Sequence, residues 1–357
     1  MPHAAQSDFA GFDLSGFNKV IVSVLGLSVA GLYLTVGVGA LADRGPAVEV
    51  AGSSDKAATG TADGVRLIYA NLPRYQLFGA PDDGLADRAK ALNGPIKVVS
   101  AADLHDKFSA AGFHLANVRD GAEVPRVALV KLPGDLSKLQ SVKAKKSLFI
   151  RSMLPLVLQT NEKVRHDRAR LLKLMVRGGQ PGETNRLWVL GLADRYGVKG
   201  DDLKKVMAEL KKRVDIVPPS LALAQAAEES GWGTSRFAIH GNAVFGQWTY
   251  TKGKGIVPTE RSDGERHEVR AFGELQDSIE AYLFNLNTHR AYGKYRDRRA
   301  ALRQDGEDVT GVELIKTLDR YSQRGDAYIG TIRTIMRVNG MSVFDRARLT
   351  VTRGKET

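Results

Sequence analysis

The sequence contains no cysteine among its 357 residues, which excludes a disulfide framework, a thiolate metal site and a cysteine nucleophile. Aromatic residues are also scarce, at 7% of the chain. The segment 137–177 carries eleven Lys or Arg against two acids, and Phe149 is its single aromatic. Proteins that bind nucleic-acid strands interleave cations with stacking aromatics. The segment is therefore interpreted as a solvated helical face, and no nucleic-acid partner is predicted.

Several catalytic signatures are missing as well. The chain has neither a P-loop nor a Gly-x-Ser-x-Gly nucleophile elbow. His240, His267 and His289 lie far apart, and no second histidine follows His267 at zinc-protease spacing. We therefore predict neither a metal nor another cofactor. The formal net charge of +12 predicts attraction to an acidic partner such as wall peptides, anionic lipid or nucleic acid.

One apolar run determines the predicted topology. Residues 20–42 contain no charged side chain, and this length is sufficient to cross a bilayer. We predict an uncleaved transmembrane anchor, because the preceding segment 1–19 lacks the basic cluster of a signal peptide. The small residues Ala40 and Ala42 leave a cleavable signal open as the alternative. Residues 43–65 are rich in small residues without periodicity, which indicates a flexible linker.

The remainder of the chain is predicted to be mainly helical, after a small α/β lobe at 66–136. In that lobe, strands are expected at 96–100 and 126–132, flanking a helix at 101–111 that Ser100 caps. A Gly-rich stretch, 245–272, is predicted to form a small β region. Helices are expected at 138–158, 160–176, 183–196, 201–214, 275–289, 311–321 and 328–338, with Pro155 interrupting the first.

The most informative run is 217–235. Two prolines at its start suit the first turn of a helix, and Gly231 and Gly233 terminate the helix after an alanine-rich middle. Glu228 and Glu229 therefore occupy the last helical turn, where the helix dipole disfavours a negative charge and raises a carboxyl pKa. A carboxyl group that holds its proton near neutral pH is what a glycosidase needs as general acid. The pattern alone does not tell which of the two faces inward.

The following residues supply further candidates. Trp232 suits either stacking on a sugar or filling the core. Asn242 and Gln247 suit either polar ligand recognition or a tight turn around a buried Phe245. A glycosidase also needs a second acid, unless the acetamide of the substrate takes its part, and the separation that sets the stereochemistry stays open. The candidate second acids are Glu260, Asp263, Glu265 and Glu268.

Taken together, the stretches LALAQAAEESGWGTS (221–235) and NAVFG (242–246) resemble the glucosaminidase domain of glycoside hydrolase family 73. Within that family they are most similar to the Bax-type branch of bacterial membrane-associated proteins. The resemblance spans about residues 125–347. It is also carried, in order, by KKSLF (145–149), LPLVLQTNE (154–162), HEVRAF (267–272), NLNTH (285–289) and YSQRGDAY (321–328).

This resemblance implies an α+β, lysozyme-like fold in which a mainly helical lobe faces a small β lobe, over residues 137–347 and before a tail at 348–357. It implies cleavage of the β-1,4 bond between N-acetylglucosamine and N-acetylmuramic acid in peptidoglycan. The alternatives are a lytic transglycosylase or muramidase on the same fold, and a catalytically silent wall-binding protein. The substrate location implies an inner-membrane anchor, with 1–19 cytoplasmic and the catalytic domain periplasmic.

The resemblance also assigns roles. In the family motif the acid directly precedes Ser-x-Trp-Gly, which selects Glu229 as general acid. Glu260 follows Thr259 at the family position of a second acid, and Glu268 is the fallback. The groove wall is implied to consist of Trp232, Asn242, Phe245, Gln247, Glu268, Tyr292 and Tyr321.

Overall fold

The computed structural model describes residues 100–176, 181–259 and 266–350. These residues are mostly helical and include one three-stranded sheet, which confirms the predicted α+β class. In this part of the chain no helix is both long and apolar enough to cross a bilayer. The predicted anchor 20–42 and linker 43–65 lie outside the described residues.

The helices are α1 Ala101–Ala110, α2 Leu115–Arg119, α3 Val142–Val176, α4 Glu183–Arg195, α5 Leu203–Arg213, α6 Pro219–Ser230, α7 Arg236–Gly241, α8 Leu275–Thr288, α9 Gly293–Gln304, α10 Gly311–Ile315 and α11 Asp326–Val338.

Helix α3 runs unbroken through Pro155, so the predicted interruption at this residue is wrong. A proline inside a helix removes one backbone hydrogen bond and crowds the preceding turn. Here every residue from Leu148 to Leu158 is buried, so packing outweighs that local cost. The Gln159 side chain also donates to the Pro155 carbonyl (3.1 Å), while the Thr160 hydroxyl donates to that of Leu156 (3.0 Å).

The described residues that precede α3 pack on the main hydrophobic cluster, together with α6, α8 and α11. Helix α1 begins at the predicted place, where the Ser100 hydroxyl accepts a hydrogen bond from the Asp103 amide. The predicted strand 126–132 is wrong, because this segment follows an irregular path with only isolated bridges. Its apolar side chains Val127, Leu129 and Leu132 are buried in the main hydrophobic cluster, which explains the strand-like alternation in the sequence.

Helix α6 lies at the centre of this core. All its residues except Glu228 and Glu229 are buried, and it packs against α3, α10 and α11. Its first turn is held by Asp345, whose carboxylate accepts from the Ser220 amide and hydroxyl (both 2.8 Å). A carboxylate is favourable at a helix N-terminus, so these contacts fix where the other end of α6 lies. That other end carries the two acids.

The β region forms a small antiparallel sheet, as predicted. Strands β1 Trp248–Thr249 and β2 Gly255–Ile256 both pair with β3 Glu268–Arg270, in the order β1-β3-β2. Gly255 is required at its position, because a Cβ atom would overlap the Val269 carbonyl of β3.

Helix α9 has no counterpart among the predicted helices. Its sequence is very polar, yet Arg296 and Arg299 are buried. Arg299 donates to the carbonyls of Lys212, Asp215 and Ile216, and thus satisfies the end of α5 and the following turn. Its inward face combines these two cations with Tyr295 and Leu302, so the apolar periodicity that marks most helices is weak in this sequence.

Candidate active site

The two acids of α6 lie just before an unusual turn. Gly231, Trp232 and Gly233 have φ angles of 56°, 60° and 78°, so three consecutive residues adopt the left-handed region. Glycine tolerates this conformation, whereas for tryptophan it is uncommon and costs energy. Gly233 also touches the core so closely that a Cβ atom would lie 2.6 Å from Leu132. The turn therefore ends α6 abruptly and fixes the position of Trp232.

Glu228 forms an ion pair. Its Oε1 accepts from Arg324 Nη1 at 2.8 Å, and Arg324 Nη2 donates to the Thr331 hydroxyl at 2.7 Å. Glu228 is therefore held by α11 and by the segment just before it. The structure thus resolves which of the two acids is the paired one.

Glu229 has a different environment, which is a chain of buried polar groups. Its Oε1 accepts from the Tyr328 hydroxyl at 2.8 Å. The same hydroxyl accepts from Gln225 Nε2 at 2.9 Å, and Gln225 Oε1 accepts from the Tyr282 hydroxyl at 2.7 Å. Because Tyr282 fixes the orientation of the amide, Tyr328 must direct its own proton toward Glu229.

These surroundings raise the pKa of Glu229 from 4.5 to about 7. Burial of the carboxyl group is the main cause, and the negative charge of Glu228 acts in the same direction. The hydrogen bond from Tyr328 and the positive charge of Arg324 oppose the rise. Glu229 nevertheless keeps partial contact with solvent. The result is a carboxyl group that is about half protonated near neutral pH and still reachable.

A row of rings continues from this position. Tyr328 stacks on Tyr321 at 5.5 Å between centroids, Tyr321 lies 5.9 Å from Tyr292, and Tyr292 lies 5.7 Å from His289. The predicted residues Tyr292 and Tyr321 are thus connected to Glu229 through Tyr328. Phe245 joins from the other direction, because its ring stacks on Tyr282 at 3.9 Å.

Trp232 is half-buried and borders the main core. Its ring meets Phe149 edge-to-face at 5.8 Å between centroids. Lys146 Nζ lies over the same ring, 4.6 Å from its centroid. The contact with Phe149 agrees with the interpretation of Trp232 as a core residue. The contact with Lys146 shows that a lysine side chain covers part of the same ring.

Asn242 and Gln247 serve the backbone of the β region. Asn242 has a left-handed φ of 50° at the end of α7, and its amide nitrogen donates to the carbonyls of Phe272 (3.2 Å) and Gly273 (3.1 Å). The Gln247 carbonyl accepts from the Arg270 amide at 2.7 Å. The side-chain carbonyl oxygens of both residues are buried without a hydrogen-bond partner. The contacts of both residues thus fit the turn interpretation. Their two side-chain oxygens have no hydrogen-bond donor among the described residues.

Of the candidate second acids, Glu268 is the one that the structure describes. Glu268 is buried, and its carboxylate accepts from the amides of Gly253 (3.0 Å) and Gly255 (2.9 Å), which holds the turn between β1 and β2. Glu260, Asp263 and Glu265 lie outside the described residues. Within the described ranges no three His, Asp or Glu side chains gather as a metal-binding group.

Comparisons with known proteins give the family of this chain. Residues 204–338 match the glucosaminidase family model, which is described as mannosyl-glycoprotein endo-β-N-acetylglucosaminidase. The chain is also 36% identical to the Escherichia coli (strain K12) protein named Protein bax over 197 residues, which cover 54% of this chain and 69% of that protein. The chain belongs to the Bax-type glucosaminidase family. No solved structure matches it significantly. The family match spans α6, the β region and the tyrosine row, so all the site residues described above lie inside it.

The residues of the candidate site that sequence reasoning missed include Gln225, Tyr282 and Tyr328, besides Arg324. Gln225 lies in the middle of an otherwise apolar buried helix, and this was a usable signal, because a buried amide needs partners. Tyr282 and Tyr328 carried no comparable signal. Each lies in an amphipathic helix, where a tyrosine is usually a core residue.

Proposed function

We propose that this Bax-type protein is a peptidoglycan hydrolase that cleaves the β-1,4 bond between N-acetylglucosamine and N-acetylmuramic acid, with Glu229 as general acid. One observation carries the proposal: of the two adjacent acids, Glu229 forms no ion pair with any cation among the described residues, and burial raises its pKa to about 7. Family membership supports a glycosidase of wall glycan, and the raised pKa supports proton donation to a leaving sugar oxygen.

The hydrogen bonds suggest which oxygen acts. Tyr328 donates to Oε1, so we assign the proton of the acid to Oε2, which has no hydrogen-bond partner among the described residues. When Oε2 releases its proton, the Tyr328 hydrogen bond stabilises the carboxylate that forms. The buried tyrosine is itself a poor acid, because burial raises its pKa well above 10. Tyr328 is therefore a positioning residue that holds the acid in one orientation.

The second step of the reaction needs a group on the other side of the sugar ring. Glu260, which follows Thr259, is the family-like candidate, and the substrate's acetamide is the other. Glu268 is the weaker choice, because two backbone amides already engage its carboxylate. The proposal includes a lysozyme-like arrangement of the helical and β parts. It also includes an inner-membrane anchor at 20–42, with the catalytic domain in the periplasm.

Digestion of purified sacculi tests the proposal. Products with N-acetylglucosamine at the reducing end are expected from the wild type, and Glu229→Gln should lower the rate by about 100-fold or more. Glu228→Gln is the matched control and should retain most of the activity, because the paired acid is not the proton donor. Reducing-end muramic acid or anhydromuramyl products would identify a muramidase or a lytic transglycosylase instead. Absence of turnover with retained glycan binding would identify a silent wall-binding protein.

A further inference from the structure

The structure contains a cavity of about 950 Å³ that Glu229 does not line. It is enclosed by α1, α2, the first three turns of α3 and the end of α11. Neither Glu229 nor any member of the tyrosine row lines it. Its size falls within the range of about 300–1,000 Å³ that is typical of ligand sites. Leu115, Ile150 and Val338 provide apolar wall.

The charged residues that line this cavity are all of one kind. Among the described residues, no Asp or Glu contributes to the lining. In the part of the chain that the structure describes, its two arginines and two lysines form no ion pair with a carboxylate. The basic side chains of this cationic cavity are His105, His114, Arg119, Lys143, Lys146 and Arg151.

Arg151 makes the charge difficult to explain as a surface accident. Only 3% of the residue is exposed, and its contacts are to neutral groups. It donates to the Phe113 carbonyl (3.2 Å), lies 2.9 Å from His105 Nδ1, and sits over the Phe108 ring. A buried cation is costly without a counter-ion, and no described carboxylate pairs with Arg151, so its charge gives the cavity a positive potential.

Lys146 connects this cavity to the candidate active site. It lines the cavity and also lies over the ring of Trp232, three residues beyond Glu229. A ligand that contacts Trp232 would therefore meet Lys146 next, at the edge of the cationic cavity. Several separated cations on partly apolar walls fit a small flexible molecule with more than one carboxylate. They fit a single headgroup on a long acyl chain less well.

We propose that the cationic cavity binds the acidic stem peptide of the wall glycan, through its carboxylates, while the sugar chain lies along Glu229. This inference rests on the proposed function, since it assumes that the glycan is the substrate. The peptide would act as a second anchor beside the scissile bond. The proposal therefore predicts a preference for glycan that still carries its peptides.

Binding can be measured without turnover, by calorimetry on the full-length chain carrying Glu229→Gln. The probe is a purified disaccharide muropeptide, compared with the same molecule after its carboxyl groups have been converted to neutral amides. The unmodified cavity should prefer the acidic form by about tenfold or more, and this preference should weaken with salt. Adding Arg119→Glu and Lys143→Glu should reduce the preference to less than about threefold, with little effect on the amidated form. Both residues are exposed, but Arg119 also donates to the Asn339 carbonyl and lies over the Phe344 ring, so a melting temperature close to that of the parent verifies that the double variant is folded.

Lys138→Glu is the matched control, because Lys138 is exposed and does not line the cavity. Equal losses in Lys138→Glu, or an unchanged preference in the double variant, would overturn the proposal. So would a double variant that keeps muropeptide binding but loses binding to equimolar phosphatidylglycerol–phosphatidylcholine vesicles, which would assign the cavity to lipid. Wild-type digestion of sacculi is scored separately. A chain that discriminates the two probes but never cleaves them would refute only the proposed function.

Discussion

Replacing Glu229 by glutamine should stabilise the folded protein above neutral pH and leave it unchanged in acid. The folded pKa of about 7 exceeds the ordinary value of 4.5, so the folded state disfavours the charged form. The contribution of Glu229 to stability is fully present below pH 4.5 and is lost as the pH rises toward 7. Glutamine removes this loss, because its neutral amide can still accept the hydrogen bond from Tyr328.

The magnitude follows from the two pKa values. A difference of about 2.5 units corresponds to about 3 kcal/mol in the free energy of unfolding, most of it present by pH 8 and less than about 1 kcal/mol at pH 5. For a domain of this size, such a change corresponds to a melting temperature higher by about 5–10 °C. Urea unfolding of both proteins at pH 5 and pH 8 measures this quantity. The double difference cancels the other titrating groups.

Glu228→Gln provides the control for that experiment. It removes an ion pair whose side chains are 29% and 17% exposed, and should cost about 1 kcal/mol or less at either pH. If Glu229→Gln proved less stable than the wild type at pH 8, or if its advantage were the same at pH 5, the buried, proton-holding carboxyl group would be refuted.

Three further predictions follow from the same contacts. Glu228→Gln should shift the alkaline limb of the activity profile to lower pH, because the negative charge of Glu228 helps to raise the pKa of Glu229; an unchanged limb would show that the two acids are not coupled. Tyr328→Phe should shift that limb to higher pH, because the hydrogen bond from Tyr328 lowers the pKa of Glu229. It should also lower the free energy of unfolding by about 1–3 kcal/mol, because the amide of Gln225 loses its acceptor. An unchanged urea midpoint would contradict the hydrogen-bond chain from Tyr282 to Glu229. Asp345→Ala should lower the free energy of unfolding by at least about 2 kcal/mol, because Ser220 loses two hydrogen bonds. Asp308→Ala is the control. It removes an ion pair with Arg346 in which both side chains are exposed, and should change the melting temperature very little.

Much of the fold could be predicted from local pattern. The proline pair and the two glycines delimited α6, and the serine before α1 marked its start. These signals act through the backbone of a few residues and depend little on distant contacts. The failures arose where tertiary packing decides. Pro155 is accommodated by a fully buried environment, and the α9 arginines are buried because they cap another helix.

The candidate site divides in the same way. The sequence pattern predicted an acid with a raised pKa at the end of α6, but it did not distinguish Glu228 from Glu229. The family resemblance selected Glu229. The physical reason for that choice is tertiary, because Arg324 comes from almost a hundred residues downstream and pairs with Glu228. Tyr282 and Tyr328 are also far from Gln225 in the sequence, by 57 and 103 residues. No local pattern therefore connects them to it.

The protonation state of Glu229 is the central claim, and carboxyl carbon NMR measures it directly. The chain would be labelled at glutamate and titrated from pH 4 to 9, and Glu229→Gln would assign the resonance by its disappearance. A midpoint near pH 7 is the predicted result. A midpoint near 4.5, the ordinary value for a solvated glutamate, would contradict the assignment of Glu229 as the proton donor.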